Sequence, residues 1–483
     1  MNRIQFVLDG NIHTIDFDIQ ANLKPSTSVL NYLRSLPGHR GVKEGCGEGD
    51  CGACTVVIAE PDKSGKKLIY KAIDSCLVFL PYLHGKQLIT VENLAVRDGN
   101  EVTLHPAQQT IVDTHGTQCG YCTPGFVMSL FAIYKKDKEY DKTELGNALA
   151  GNLCRCTGYR PLVDAAVMIG NSENNDLFCK SEKEVLKMLR TIQKENETIS
   201  LSGGGQKYAK PVDIGEAVFL RHINPEALVV AGATDIALRQ TKKHEFFPAI
   251  HDVSDVSELR GLRVTKKEII AGACVTMEEL RMAAKDVFPT LFDLLSVFAS
   301  RQIRNIATIG GNVGSASPIG DTLPFLMATG AEISLTGPKG LRDIPMNEFI
   351  TGYRQTVLEP NELIACVTIP IPPKDVIVKT YKSSKRKDLD ISMVSGGFRL
   401  KLLAGNKVGE IILAFGGMAA TTKRAVKTEK FLSGKTWTQE NIDKAIVILE
   451  TEFKPLSDAR TDAETRLIIA GNLLKQFYFD SVG

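Results

Sequence analysis

The sequence predicts a multidomain α+β chain, and three observations carry that expectation. At 483 residues the chain is too long for one ordinary core, since a domain uses about 150 residues. Its hydrophobic period changes along its length: alternating at first, helical from Pro106, alternating again from Pro211, and helical near the end. Eight of the eleven cysteines lie between Cys46 and Cys156, so the first third differs chemically from the rest.

Composition narrows the class. Hydrophobic residues make up 43% and charged residues 24%, as in soluble globular proteins. A net charge of +2 gives no footprint for nucleic acid, which needs a clearly basic face. No apolar run approaches a bilayer span. The start, Met1 to Gly10, reaches an acidic turn before a signal-length apolar stretch forms. A cytoplasmic protein is expected, with no membrane or nucleic-acid partner. An odd cysteine count without a secretory signal argues against a disulfide framework. Cys179, Cys274 and Cys366 are scattered and read as ordinary thiols.

Ile4, Phe6 and Leu8 alternate, Asp9-Gly10-Asn11 makes a turn, and Ile15, Phe17 and Ile19 alternate again, which predicts a hairpin. Val29, Leu30, Leu33 and Leu36 stand at helical spacing, with Ser26 or Thr27 as N-cap. Strand signal returns at 55–58 and 86–91, completing a small α+β unit. Four helices are then expected at 106–115, 124–136, 142–152 and 161–170, with prolines suited to first turns. The polar stretch 173–206 reads as a linker with a short helix at 182–192. Beyond it the spacing predicts a helix at 213–222, a buried strand at 227–231, strands at 396–403 and 411–415, and helices at 441–452 and 462–477.

Two cysteine groups carry the chemistry. Gly45-Cys46-Gly47-Glu48-Gly49-Asp50-Cys51-Gly52-Ala53-Cys54, with Cys76 later, has the C-x4-C-x2-C spacing of plant-type [2Fe–2S] sites. Its glycines permit left-handed turns that bring N–H groups to the sulfurs. Zinc is the alternative, but zinc loops present cysteines in pairs from two knuckles. The second group joins Cys119-Gly120-Tyr121-Cys122 to Cys154-Arg155-Cys156. C-x2-C alone suits redox dithiols and zinc as well, whereas C-x-C is awkward for a zinc knuckle and workable for two irons. Arg155 and Arg160 can offset cluster charge. Separately, Val229-Val230-Ala231-Gly232-Ala233-Thr234-Asp235-Ile236 is an apolar strand ending in a small-residue turn, a geometry that lets backbone N–H groups reach a pyrophosphate.

The motifs GCGEGDCGAC, QCGYCTPG and GNLCRCTGYRP, in this order, resemble the molybdenum hydroxylases, the family of xanthine dehydrogenase and aldehyde oxidase. Ile309-Gly310-Gly311-Asn312 through Asp321, and Phe415-Gly416-Gly417-Met418-Ala419, resemble its flavin part, so the likeness covers essentially the whole chain. It implies a β-grasp [2Fe–2S] ferredoxin-like domain (1–90), a four-helix [2Fe–2S] domain (91–172), the linker (173–206), an α/β FAD-binding domain of the CO dehydrogenase flavoprotein type (207–373) and a C-terminal α+β flavoprotein domain (374–483). By resemblance Cys119, Cys122, Cys154 and Cys156 hold the cluster nearest molybdenum, and Cys46, Cys51, Cys54 and Cys76 the one nearer the flavin. Gln118 matches a residue near the pterin. Residues 229–236, Phe298, Thr308, Asp321, Ile364 and Lys382 match FAD contacts. Ala233 departs from relatives that have Gly or Asn there, and residues 387–390 resemble a loop beside the isoalloxazine. The resemblance further implies a separate large subunit carrying the molybdenum cofactor, a heterotetramer, and electrons from xanthine or hypoxanthine delivered through two [2Fe–2S] clusters and FAD to NAD+. Oxygen as acceptor, an aldehyde or N-heterocycle as substrate, and a free-standing carrier are the alternatives.

Overall fold

The expected N-terminal hairpin forms, with its second strand ending at Asp16, before Phe17 and Ile19. Arg3–Leu8 and Asn11–Asp16 form an antiparallel hairpin in register, and Ile4 and Phe6 are buried. The hairpin joins a five-stranded sheet in the order Asn11–Asp16, Arg3–Leu8, Gln87–Ile89, Thr55–Pro61, Leu68–Asp74. Arg3–Leu8 runs parallel to Gln87–Ile89, the mark of a β-grasp sheet. The helix Val29–Ser35 packs on it through Val29, Leu30 and Leu33. Its N-cap is Ser28, which accepts from the Asn31 N–H at 3.2 Å. The expected caps fail for a tertiary reason: Ser26 is buried and bonded to Gln206 and Gln240.

The computed structural model describes residues 2–136, 140–170, 172, 174–193 and 197–482. Met1, 137–139, Asn171, Glu173, 194–196 and Gly483 lie outside the described residues, so the expected linker is described only in part. Two compact units form. The first comprises Met1–Asp213, Glu226–Asp255 and Ala299–Ala307; the second comprises Ile214–Pro225, Val256–Phe298 and Thr308–Gly483. The stretch 207–373 therefore contributes to both.

In the first unit the four expected helices are Pro106–Asp113, Thr123–Tyr134, Lys142–Leu149 and Arg160–Gly170. Thr123–Tyr134 is buried almost all round, so it is the central helix of that layer. The short helix expected at 182–192 forms and is longer than expected, so the linker around it is largely structured. Residues 177–193 form one 17-residue helix, Leu177–Gln193, and Ile199–Gly203 pairs with Gln206–Lys210 as a hairpin. The charged residues of this helix lie mostly on its exposed face. Val185, Leu186, Leu189 and Ile192 fall on the other face and enter the helical core. Gly204 and Gly205 have positive φ and make the hairpin turn. A four-stranded sheet, Leu228–Val230, Ala249–Asp252, Gln206–Lys210, Ile199–Gly203, completes the unit.

The second unit contains an antiparallel sheet in the order Leu262–Val264, Glu268–Gly272, Leu363–Pro370, Glu332–Gly337, Gly340–Pro345. A second sheet is built from Val376–Ser383, Val394–Leu403, Lys407–Gly416 and Lys423–Arg424. Helices Gln439–Glu452 and Ala463–Val482 share its core of Phe398, Phe415, Trp437 and Phe477. Among the described residues no helix is long and apolar enough to cross a membrane.

Leu189→Ala tests the helix that replaces the linker. Leu189 is fully buried, and such truncations cost about 2–5 kcal/mol. Chemical denaturation should show a loss of that size, where a linker residue would give less than about 0.5 kcal/mol.

Candidate functional site

The first cysteine loop spans Cys46 to Cys54 and is shaped by glycines at positive φ, Gly47, Gly49 and Gly52. The turns aim N–H groups inward: those of Glu48 and Asp50 lie 3.4 and 3.3 Å from Cys46 Sγ. A Cβ on Gly49 would sit 2.5 Å from Leu77, so the loop lies flat on the residue after Cys76. The thiols approach in pairs. Cys54 Sγ is 3.4 Å from Cys76 Sγ, and Cys46 hydrogen-bonds Cys51. That bond and the Glu48 and Asp50 N–H groups pull the Cys46 thiol down to about 6 against burial. The bond to Cys46, then burial, pushes Cys51 up. The Cys76 contact, then burial, does the same to Cys54. Asp74, fully buried beside Cys54, is held well above the carboxylate range by desolvation.

The second group repeats the pairing. Cys119 meets Cys156, and Cys122 meets Cys154. Burial, then the Cys154 contact, pushes Cys122 up to about 12. At Cys154 burial is outweighed by the Thr157 hydroxyl and N–H, at 3.1 and 3.5 Å, and its thiol is lowered. Cys119 and Cys156 are exposed, as is Gln118 beside them. The Arg160 guanidinium pairs with Asp164 one turn on, and both side chains are exposed.

This donor set fits two-iron centres. Among the described residues no three His, Cys, Asp or Glu close around a single ion. Two irons need two thiolates each, spread over a wider centre, and two pairs of thiols per group supply that.

In the first unit the strand Leu228–Val230 runs through Ala231 into the turn Gly232–Asp235 and then the helix Ile236–Lys243. A Cβ on Gly232 would lie 1.7 Å from the Ile306 carbonyl oxygen, so only glycine fits. Ala233 has φ 57°, the left-handed region that favours Gly or Asn. That conformation makes the turn concave. Among the described residues the N–H groups of Gly232, Ala233 and Thr234 have no partner in the protein. Three free donors at a helix N-terminus fit a pyrophosphate.

The second unit gathers the other predicted flavin contacts. Thr308 caps the helix Ile309–Ser315, accepting from the Gly311 N–H. The Gly310 N–H is taken by Ala273 O at 2.9 Å, so this glycine serves close packing. Lys382 Nζ donates to Asp321 Oδ2 at 2.8 Å and to Val297 O, next to Phe298, at 2.9 Å. Both members of this ion pair are buried. Ile364 lines Gly314, and the Gly417 N–H binds Pro318 O at 2.8 Å. The charged loop closes on itself through Arg386 and Asp390. Sequence reasoning missed Ser392, which donates to Asp321 Oδ1 at 2.5 Å; a lone serine carries no motif. It also missed Gln302, although RQIRN stands just before Thr308.

Comparison with known proteins agrees with this arrangement. Residues 90–167 match the [2Fe-2S] binding domain family, 200–372 the FAD binding domain in molybdopterin dehydrogenase, and 379–480 the CO dehydrogenase flavoprotein C-terminal domain. Xanthine dehydrogenase/oxidase of Gallus gallus is 32% identical over 504 residues, covering 90% of this chain and 37% of its own length. The chain belongs to the molybdenum hydroxylase family. Xanthine dehydrogenase 1 of Arabidopsis thaliana, 31% identical, is covered to 36%, so this chain spans about a third of these relatives. Carbon monoxide dehydrogenase from Hydrogenophaga pseudoflava is a solved neighbour with a TM-score of 0.53 and 26% identity, over 56% of this chain and 94% of that one. The chain carries the [2Fe–2S] and FAD-binding domains of that family.

Ala233→Gly relieves a left-handed alanine, which costs roughly 1–2 kcal/mol. It should raise stability by about 1 kcal/mol with FAD content retained. Gly232→Ala should abolish flavin binding, measured as FAD per chain.

Proposed function

We propose that this chain is the iron–sulfur and FAD subunit of a xanthine dehydrogenase, joined in a heterotetramer to a large subunit that bears the molybdenum cofactor and oxidises xanthine or hypoxanthine. Its electron acceptor is NAD+, and it works in the cytoplasm. One observation carries the reading: two groups of paired thiols lie in one compact unit, one at the surface and one in the core that receives the flavin turn. Cys54 and Cys76 share that core with Val230, Ala237 and Ile306.

Cys119, Cys122, Cys154 and Cys156 would hold the outer [2Fe–2S] cluster, and Cys46, Cys51, Cys54 and Cys76 the inner one. When bound, the clusters supply one-electron chemistry, and FAD converts it to the two-electron chemistry NAD+ requires. The chain binds, orients and shields. Glu48, Asp50 and Thr157 direct hydrogen bonds at sulfur, which sets how readily a thiolate-bound centre accepts charge. The turn 232–235 offers N–H donors to the pyrophosphate. Lys382 has three donors; Asp321 and Val297 O hold two, leaving one for the flavin beside Phe298. The relatives named xanthine dehydrogenase support the substrate, and the exposure of Cys119 and Cys156 supports a partner docking there.

Lys382→Met strands a buried carboxylate, at a cost of about 3–5 kcal/mol. FAD retention and thermal midpoint should both fall. Asp321→Asn in the same chain should restore part of the midpoint without restoring tight FAD binding.

The deciding measurement is the absorption spectrum of the purified chain with iron and flavin content, followed by titration with NADH. Four irons and one FAD, bleached by NADH, are expected. Zinc without flavin would sink the relay. Iron and flavin that ignore NADH would replace NAD+ by another acceptor, such as oxygen.

A further inference from the structure

A buried polar chain joins the two cysteine loops and uses a residue from outside both. Asn152, two residues before Cys154, donates through Nδ2 to Gly52 O at 3.0 Å and to Thr55 Oγ1 at 3.2 Å. Gly52 lies between Cys51 and Cys54. The Asn152 Oδ1 faces the other way and accepts from Ser129 Oγ at 2.6 Å and Gln302 Nε2 at 2.9 Å. Gln302 Nε2 also reaches Ser129 Oγ at 3.1 Å. Because Nδ2 is committed to Gly52, Gln302 must present its N–H to Asn152. Gln302 is fully buried, and among the described residues its Oε1 has no partner. A Cβ on Gly151 would lie 2.2 Å from that oxygen. One residue along, the Leu153 N–H donates to Cys51 O at 3.0 Å. A single hydrogen bond thus separates Cys51 from the residue preceding Cys154.

The segment that brings Gln302 is fastened independently. Arg301 pairs with Glu144, Arg304 donates to Asn147, and Asn305 Nδ2 binds Ala72 O at 2.7 Å. The side chain of Gln302 is therefore not needed merely to keep the segment in place, and its amide is spent on Asn152. A buried amide with one end unsatisfied is costly, whereas an apolar side chain of the same length would avoid that cost.

We propose that Gln302 is a positioning residue for electron transfer between the two cysteine-bound centres. It fixes Asn152 so that the Leu153 N–H stays on the Cys51 carbonyl and the two loops keep one relative geometry. Electron tunnelling is faster through bonded atoms than across a gap, so this contact sets the rate between the centres. The inference rests on reading the two thiol groups as [2Fe–2S] sites.

The test uses the full chain loaded with its cofactors. Gln302→Met keeps the length and removes the donor; Arg301→Met loosens the segment without touching the network. Iron and FAD content, thermal midpoint, low-temperature electron paramagnetic resonance of the reduced clusters and the rate of internal electron transfer are measured. Gln302→Met should retain both clusters, weaken the spin coupling between them and slow internal transfer about tenfold, the lower end of the effect typical of outer-sphere partners. Arg301→Met should lower the midpoint and leave the coupling unchanged. A loaded Gln302→Met with unchanged coupling and rate, or equal loss of coupling in both variants, overturns the proposal. If Gln302→Met does not load iron, Ser129→Ala decides: weakened coupling supports the proposal and unchanged coupling overturns it. Parent protein without iron would sink the cluster reading instead, which separates the two failures.

Discussion

The first unit depends on backbone packed against backbone where the two cysteine loops meet. A Cβ on Gly125 would lie 2.2 Å from Gly52 O, and one on Gly52 would lie 2.3 Å from Gly151 O. Each distance is below any real side-chain contact, so glycine is required at 125 and 52, and Gly151 is required separately because its own Cβ would lie 2.2 Å from the Gln302 Oε1. The approach lets the Leu153 N–H reach Cys51 O and lets Asn152 span both loops. Without it the two sets of thiols would belong to separate domains joined by a tether, with no fixed separation. The entropy lost by glycines on folding is the cost of that rigidity.

The electrostatics of the loops follow from the same closeness. In each pair the shared hydrogen bond raises the proton affinity of one thiol and lowers that of the other, and burial adds to the rise at Cys51 and Cys54. Left alone, one thiol of each such pair favours the protonated state. The positive charge of iron reverses that preference, as a bound cation reverses local titration generally. Metal binding and loop geometry are thus coupled, and the N–H groups of Glu48 and Asp50 partly prepare the thiolate at Cys46 before any metal arrives. The protonated state favoured at Asp74 by burial fits the same logic, because a second full charge beside Cys54 would oppose the thiolates.

Much of this was legible in the sequence, and the rest failed for identifiable reasons. Cysteine spacing is local, so the groups could be read directly, as could the four helices, whose apolar faces and first-turn prolines lie within each segment. The helix Leu177–Gln193 was read only as a short helix at 182–192 within a linker, because the apolar stripe of Val185, Leu186, Leu189 and Ile192 marks its second half alone. The Ser28 cap was missed because tertiary bonds claim Ser26. Ser392 and Gln302 were invisible for a different reason. Each acts through a partner 71 or 150 residues away, and no local pattern encodes such a pairing.

Ala299–Ala307 shows how a chain can tie cofactor-binding segments together without extending either. It is a short stretch of the flavin-family sequence that folds with the iron–sulfur unit. The carbonyl of Ile306 closes against Gly232 and fixes the turn, while Gln302, four residues earlier, closes on Asn152. One rigid segment therefore references both the pyrophosphate turn and the junction of the cysteine loops. Movement of either site would have to move this segment, and with it Arg301, Arg304 and Asn305, each fastened to a different element. A relay needs constant distances more than it needs reactive side chains. That explains why its most constrained residues beyond the cysteines are glycines, an asparagine and a glutamine, and why none of them is an acid or a base.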